Sequence, residues 1–425
     1  VGLPVRLIGN DAGEKISILE ATIARLDRNT PNYGWGKYND FNSFYIQAAA
    51  GSSGGSSGSP VLNQQGKVIA LNAGGSRRAA SSFFLPLDRV ERALKQIQSG
   101  EEVSRGTLLA TFRFEPYDQA RRLGLSKEEE SAFRAGFPKR DGVLILRKIT
   151  HLGPLFQDFR EGDVLLGING KRVSGFVSLE EILDSNVGKE LVIEMERAGK
   201  KISVKVPVTD LHSVTPNQFV EACGASINAL SYQMGRHFPI PLNGVYVAFP
   251  GYCFQNAGIS RSSVITALNG QPVSDLAEFW AMVNSFTDSQ PIIVDYFSLY
   301  EPKQRKRTVM IWDRKWFPLQ IWTRNDAEGL WEPDVASYEA EEWSMVYPPT
   351  QYPEEKDRRA QKLSSAMVIV RFSIPFSVEG VYGDSFFGFG FIVDKEEGLI
   401  VVDRDTVPIG LGDALISFAG DLTIP

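Results

Sequence analysis

An internal repeat with a 100-residue period constrains this chain more than any other feature. Gly142-Val-Leu-Ile-Leu is echoed by Gly244-Val-Tyr-Val-Ala, and Asp163–Ser174 (DVLLGINGKRVS) by Ser263–Ser274 (SVITALNGQPVS), so that Asn269 follows Asn169 by 100 residues. The Asn-Gly pair in each copy supplies the two left-handed residues of a tight turn between strands. Both copies continue into an amphipathic helix (Leu179–Leu183; Leu276–Val283) and then two strands, Glu190–Glu196 with Lys201–Val206 and Pro291–Leu299 with Arg307–Trp312. One module is used twice, within a chain of 425 residues that has room for about three or four domains.

A second constraint is the run Gly51–Val61 (GSSGGSSGSPV). Its composition is that of a flexible linker, but it lies between the strand-like runs Phe44–Ala48 and Lys67–Leu71 and so interrupts a sheet. Further strands are expected at Val5–Ile8, Ile16–Leu26, Val68–Asn72 and Phe83–Leu85. A helix should follow Pro86, with Leu87, Val90, Leu94 and Ile97 at helical spacing and Gly100 past its end. Residues 316–363 are rich in proline and acidic side chains and read as a connector, after which strand-like runs resume.

Composition excludes several classes. At 43% hydrophobic and 23% charged residues, ordered cores are expected. No apolar run reaches the length of a membrane-spanning helix, and a net charge of −6 argues against a broad nucleic-acid surface. Two cysteines, Cys223 and Cys253, make no disulfide framework; they read as small buried hydrophobes compatible with a reducing compartment. Lys303–Arg307 (KQRKR) is the one tight basic cluster, placed at a hairpin tip. It reads as a solvated turn, with a nuclear-import signal as the alternative.

From Gly55 onward the run reads Gly-Ser-Ser-Gly-Ser-Pro, which resembles the G-x-S-G-G/S-P loop of trypsin-like serine proteases. The repeated strand, "GDVLLGINGKRV", helix and hairpin resembles PDZ domains. Their order resembles the HtrA/DegP-like serine proteases, and the strand-rich return after two PDZ-like copies narrows this to the long, duplicated members of fungi and plants. The segments VGLPVRLIGNDAGEKISIL, YNDFNSFYIQAAA, GGSSGSPV, FFLPLDRVERAL and GLIVVDRDTVP carry the resemblance. The fold it implies is mainly β with α+β modules: the second barrel of a trypsin-like protease with a closing helix (1–103), two PDZ domains (104–210 and 215–315), a linker (316–363) and the start of a degenerate trypsin-like unit (364–425).

Carried over residue by residue, the resemblance makes Ser57 the nucleophile, with the Gly55 and Ser57 amides as the oxyanion hole. Leu71, Asn72, Ala73 and Gly74 would pair with substrate, and Gly51 would floor an uncharged specificity pocket. In this class the catalytic histidine and aspartate precede the serine. His151, His212 and His237 all follow it, and Asp11, Asp27 and Asp40 fall in loops or turns of the second barrel. The chain starts at Val1 and reads as a fragment whose first barrel is missing, so residues 1–425 alone are expected to be inactive. In the last segment Asp405 stands where a histidine would be, which reads as a pseudoprotease.

The PDZ resemblance implies binding of extended peptide C-termini along a sheet edge, with Thr107, Leu108, Leu109 and Ala110 as the carboxylate loop of the first copy. Leu109 replaces a glycine there. The second copy has Cys223-Gly224-Ala225-Ser226, and its binding is less expected. The implied partners are unfolded or regulatory protein substrates and peptide C-termini, with no nucleic acid, membrane, metal or cofactor. The family also implies a homo-oligomer, and its fungal branch implies the nucleus and a link to apoptosis; cytoplasm and plastid are the alternatives. The competing class is a non-catalytic PDZ scaffold.

Overall fold

The computed structural model describes every residue except 32, 35–38, 52, 53, 77–79, 152, 239, 338–349, 353, 355, 420, 421 and 425. Its contacts divide the chain into two units. The first holds residues 1–216 and 230–243; the second holds 217–229 and 244–425.

The first unit opens with six antiparallel strands: β1 (Pro4–Gly9), β2 (Ser17–Asn29), β3 (Phe44–Ala49), β4 (Pro60–Leu62), β5 (Val68–Ser76) and β6 (Ser81–Pro86). They close into a barrel in the order β1-β2-β3-β6-β5-β4. Closure follows from period-2 patterning, which turns Val5, Leu7, Ala21, Ile23, Ala48, Val61, Ala70 and Phe84 into one core. A fully buried side chain such as Phe84 stabilises by about 2 kcal/mol.

Helix α1 (Asp88–Gln98) follows. Gly100 takes φ +72° past its end, and the Glu101 amide donates to the Gln96 carbonyl at 2.9 Å, which closes the last turn as in a Schellman motif. The apolar stripe expected of this helix is not its buried face: Leu94 and Ile97 are exposed. Its half-buried positions mix apolar and charged side chains, Val90 and Ala93 with Arg89 and Arg92. Arg89 and Arg92 reach the next domain, so the helix joins two domains rather than roofing one core.

That domain contains β7 (Gly106–Thr107), β8 (Ala110–Pro116), α2 (Tyr117–Arg122), α3 (Lys127–Gly136), β9 (Gly142–Ile149), β10 (Val164–Ile168), β11 (Lys171–Arg172), α4 (Phe176–Asp184), β12 (Glu190–Arg197), β13 (Lys200–Pro207) and β14 (Thr209–Asp210). Its main sheet runs β13-β12-β10-β9-β8 and ends at β8. A short helix, α5 (Tyr232–Gly235), belongs to the same unit.

The second unit repeats the plan with β15 (Gln218–Ala222), β16 (Ala225–Ala229), β17 (Val245–Phe249), α6 (Gly251–Asn256), β18 (Ser263–Leu268), β19 (Gln271–Pro272), α7 (Leu276–Asn284), β20 (Pro291–Ser298) and β21 (Arg305–Ile311). In both copies the repeated asparagine does the same work. Asn169 and Asn269 adopt φ +50° and +48°, and their side-chain carbonyls accept the amides of Val192 and Ile293 at 2.7 and 2.8 Å. Each thus continues strand pairing through a turn.

The stretch read as a connector contains a hairpin, β22 (Gln320–Asn325) and β23 (Leu330–Val335), joined to the second sheet through β15. Most of its acidic remainder lies outside the described residues. After α8 (Arg358–Ala366) comes a five-stranded sheet of β24 (Met367–Ser373), β25 (Ser385–Asp394), β26 (Leu399–Val402), β27 (Asp413–Phe418) and β28 (Leu422–Ile424), ordered β26-β25-β24-β27-β28. The Asp413 carboxylate ties this sheet to the second repeat, accepting from the Tyr252 hydroxyl and the Trp316 indole, each at 2.7 Å. At the β20–β21 turn the basic cluster is partly engaged: Arg307 pairs with Asp295 at 2.7 Å, and Arg305 lies over the Phe297 ring.

Candidate active site

Ser57 stands on the loop between β3 and β4, exposed, while its neighbour Ser56 is fully buried. That alternation is what a nucleophile loop requires, since one residue must anchor while the next presents its hydroxyl. The anchor is explicit. The Ser56 hydroxyl donates to Asp11 at 2.9 Å. Its carbonyl accepts the Asn72 side-chain amide at 2.8 Å. Asn72 also holds the loop through its backbone, donating to the Ser59 carbonyl at 2.8 Å and accepting from the Gly58 amide at 2.7 Å.

A side chain at Gly55 would clash with the backbone. The glycine takes φ +105°, and a Cβ there would lie 2.2 Å from the Asn10 carbonyl oxygen and 2.8 Å from the Gly13 nitrogen. No described residue accepts a hydrogen bond from the backbone amides of Gly55 or Ser57.

The other residues singled out in the sequence separate into different roles. Gly51 is exposed just beyond β3, beside Ser52 and Ser53, which lie outside the described residues. Leu71, Ala73 and Gly74 line β5 in half-exposed positions, and the Ala73 carbonyl accepts the Tyr33 hydroxyl at 3.2 Å. Asn72 differs: it is buried at 2% exposure and turned toward the serine loop, so it positions that loop rather than meeting substrate.

Asp405 is exposed in a turn after β26. Its neighbour Asp403 accepts the Thr406 amide and hydroxyl, each at 2.9 Å. These bonds hold the Asp403 carboxyl below its usual range. His151, His212 and His237 lie outside the barrel. His151 packs against Phe156 with ring centroids 4.4 Å apart and planes tilted by 51°, and the His212 ring meets the Val103 carbonyl at 2.9 Å. Among the described residues no group of acidic, histidine and cysteine side chains is arranged to hold a metal.

In the first repeat, Thr107, Leu108 and Ala110 are buried, and Leu109 takes φ +51°, a conformation that favours glycine. The Leu109 amide donates to the Thr107 hydroxyl at 3.0 Å and is therefore engaged. Beside this loop, Asn42 of the barrel caps the outer edge of β8. Its side chain donates to the Ala110 carbonyl at 3.2 Å and accepts the Phe112 amide at 2.7 Å. One amide group thereby imitates a paired peptide unit. Phe41 meets the Tyr232 ring edge-on at 5.5 Å alongside it.

Charged side chains meet at the same interface. Arg89 reaches Glu180 at 2.8 Å and the Asn42 carbonyl at 2.9 Å, and the Arg92 guanidinium donates to the Asp184 carbonyl at 3.1 Å. Replacing Asn42 by glycine keeps its φ of +48° accessible but removes both bonds to β8. We expect about 2 kcal/mol of destabilisation and faster hydrogen exchange at the Phe112 amide; unchanged exchange there would refute the capping role.

Residues 1–71 match the trypsin-like peptidase domain family, and residues 213–289 match the PDZ-like domain family. Over its whole length the chain is 39% identical to the pro-apoptotic serine protease NMA111 of Candida glabrata and 38% identical to that of Saccharomyces cerevisiae. It spans 44% and 43% of those relatives, less than half of each. Among solved structures it resembles the HtrA-type protease AlgW with decapeptide at 21% identity, over 49% of this chain and 60% of that one. The TM-score is 0.34, too low to carry the fold of one onto the other.

Proposed function

The chain belongs to the HtrA-like serine-protease family, and on that footing we propose that it supplies the nucleophile side of a serine endopeptidase acting on extended protein segments. The observation that carries this reading is the serine loop itself: an exposed Ser57 directly after a left-handed Gly55 and a buried, anchored Ser56. In the complete enzyme the Ser57 hydroxyl would attack a peptide carbonyl, giving up its proton to a histidine base. The Gly55 and Ser57 amides would hold the oxyanion, and water would later release the acyl group.

Residues 1–425 contain no histidine before Ser57 and none in the barrel. Without a base the hydroxyl is a poor nucleophile, so we assign no turnover to this segment by itself. The five-stranded sheet near the C-terminus has no histidine, with Asp405 in an exposed turn where one would stand, and we give it a structural role. The β8 edge of the first repeat is the proposed peptide site, with Asn42 resting in it.

The test is covalent labelling. A peptidyl phosphonate should modify Ser57 in the full-length protein and not in its Ser57→Ala variant, and residues 1–425 alone should label at least 10³-fold more slowly. Equal labelling of the full-length protein and its Ser57→Ala variant would favour a non-catalytic PDZ scaffold.

A further inference from the structure

We infer that the second PDZ-like repeat carries its own ligand: residues Gln218–Ala222 occupy the slot in which a peptide would add to the sheet. The two copies can be compared strand for strand. Strand β8 pairs with β9, β16 pairs with β17, and α4 and α7 begin at Phe176 and Leu276. In the first copy the sheet ends at β8. In the second it runs past β16 into β15, β22 and β23. Strand β15 thus takes the edge that strand-adding ligands use, antiparallel to β16, with Val220 opposite Ile227 and Ala222 opposite Ala225.

Its side chains behave as a ligand's would. Alternate residues Val220 and Ala222 are fully buried in one core with Leu276, Phe279 and Val283 of α7. Outward-facing residues are held by the hairpin beyond. Phe219 stacks on Trp322, and the Glu221 carboxylate accepts from the Gln320 side-chain amide at 2.7 Å and the Trp322 indole at 3.0 Å.

The loop that would cradle a terminal carboxylate has become a two-residue turn. Cys223 and Gly224 take φ +52° and +73°, both left-handed as a type I′ hairpin demands. The Cys223 carbonyl accepts the Tyr252 amide at 3.0 Å, and its thiol donates to the Asp313 carbonyl at 3.0 Å. No chain end enters this slot; the ligand is continuous with the domain. The sheet edge moves outward to β23, where Pro333 between Glu332 and Asp334 blunts further strand addition.

This rests on the PDZ reading of the repeat, but its test reads backbone amides and is blind to Ser57 chemistry, so an inactive serine would leave it standing. Hydrogen exchange is followed at Val220 and at Ala225–Ala229 in residues 1–425, alone and with decapeptides ending in free Val, Phe or Ala. The expected result is at least 10³-fold protection without peptide and no change on addition. Fast exchange in the free protein, or protection gained with peptide, would overturn the inference.

A variant makes the complementary test. Gly224→Val puts a branched side chain at a left-handed φ, with its Cβ 3.2 Å from the Phe317 ring. It should speed exchange in β15 at least 10-fold and allow the synthetic peptide Asn217–Ala222 to restore protection in β16. Failure of that peptide on a folded variant would overturn the inference. If the variant does not fold, the unmodified protein decides.

Discussion

Gly55→Ala in the full-length protein should slow phosphonate labelling of Ser57 by 10²–10³-fold, about the loss seen when one oxyanion donor is removed. The backbone at Gly55 has φ +105°, and the added methyl would sit 2.2 Å from the Asn10 carbonyl oxygen and 2.8 Å from the Gly13 nitrogen. Both are main-chain atoms that cannot rotate away. The residue 55 amide must therefore move, and with it one donor of the proposed oxyanion hole. The clash falls on Asn10 and Gly13 of the β1–β2 loop and not on the barrel's core residues, so the circular dichroism spectrum should be unchanged.

Gly58 provides the control. Its φ is +80°, but a Cβ there would meet nothing within 4 Å. Gly58→Ala should therefore bring only left-handed strain, on the order of 1 kcal/mol, and less than a tenfold loss. Equal labelling of the Gly55 variant and the unmodified protein would remove Gly55 from the oxyanion hole.

What was legible in the sequence was local. The Asn-Gly turns at 169 and 269, the alternating strands of the barrel and the glycine after α1 all follow from neighbours a few residues apart. Strand β4 was missed because only Pro60–Leu62 follow the Gly/Ser run, too short for a period to show. The hairpin β22–β23 was hidden because proline and acidic residues suggested a connector; its pairing partner, β15, lies about a hundred residues earlier.

The decisive contacts of the sites were the least legible. Asn72 looked like a strand residue facing substrate, and only its bond to the Ser56 carbonyl shows that it supports the loop. The capping role of Asn42 has no local signature, because its partners Ala110 and Phe112 lie about seventy residues further along the chain. The apolar spacing in α1 gives the helix, but the partners of Arg89 and Arg92, Glu180 and Asp184, lie about ninety residues further along the chain.

The buried carboxyl between these domains gives the second large effect. Glu180 is only 4% exposed, and burial pushes its pKa up to about 7, outweighing Arg89 and Arg105 and reinforced by Asp184. Its folded value lies above the unfolded one, so its favourable contribution is complete below about pH 4.5 and is lost as pH rises through 7. The ionised carboxylate then destabilises the fold by about 3 kcal/mol.

Glu180→Gln removes the titration. Both arginines keep other acceptors, Arg89 the Asn42 carbonyl at 2.9 Å and Arg105 the Asp184 carboxylate at 3.4 Å, and each is about a quarter exposed, so water can take up the remaining charge. Urea denaturation of residues 1–425 should show the unmodified protein losing stability between pH 5 and 8 relative to the glutamine variant, with the variant the more stable at pH 8. Parallel curves, or a glutamine variant that is weaker at pH 8, would mean that the pair with Arg89 outweighs burial and that the charged form is the one the interface selects.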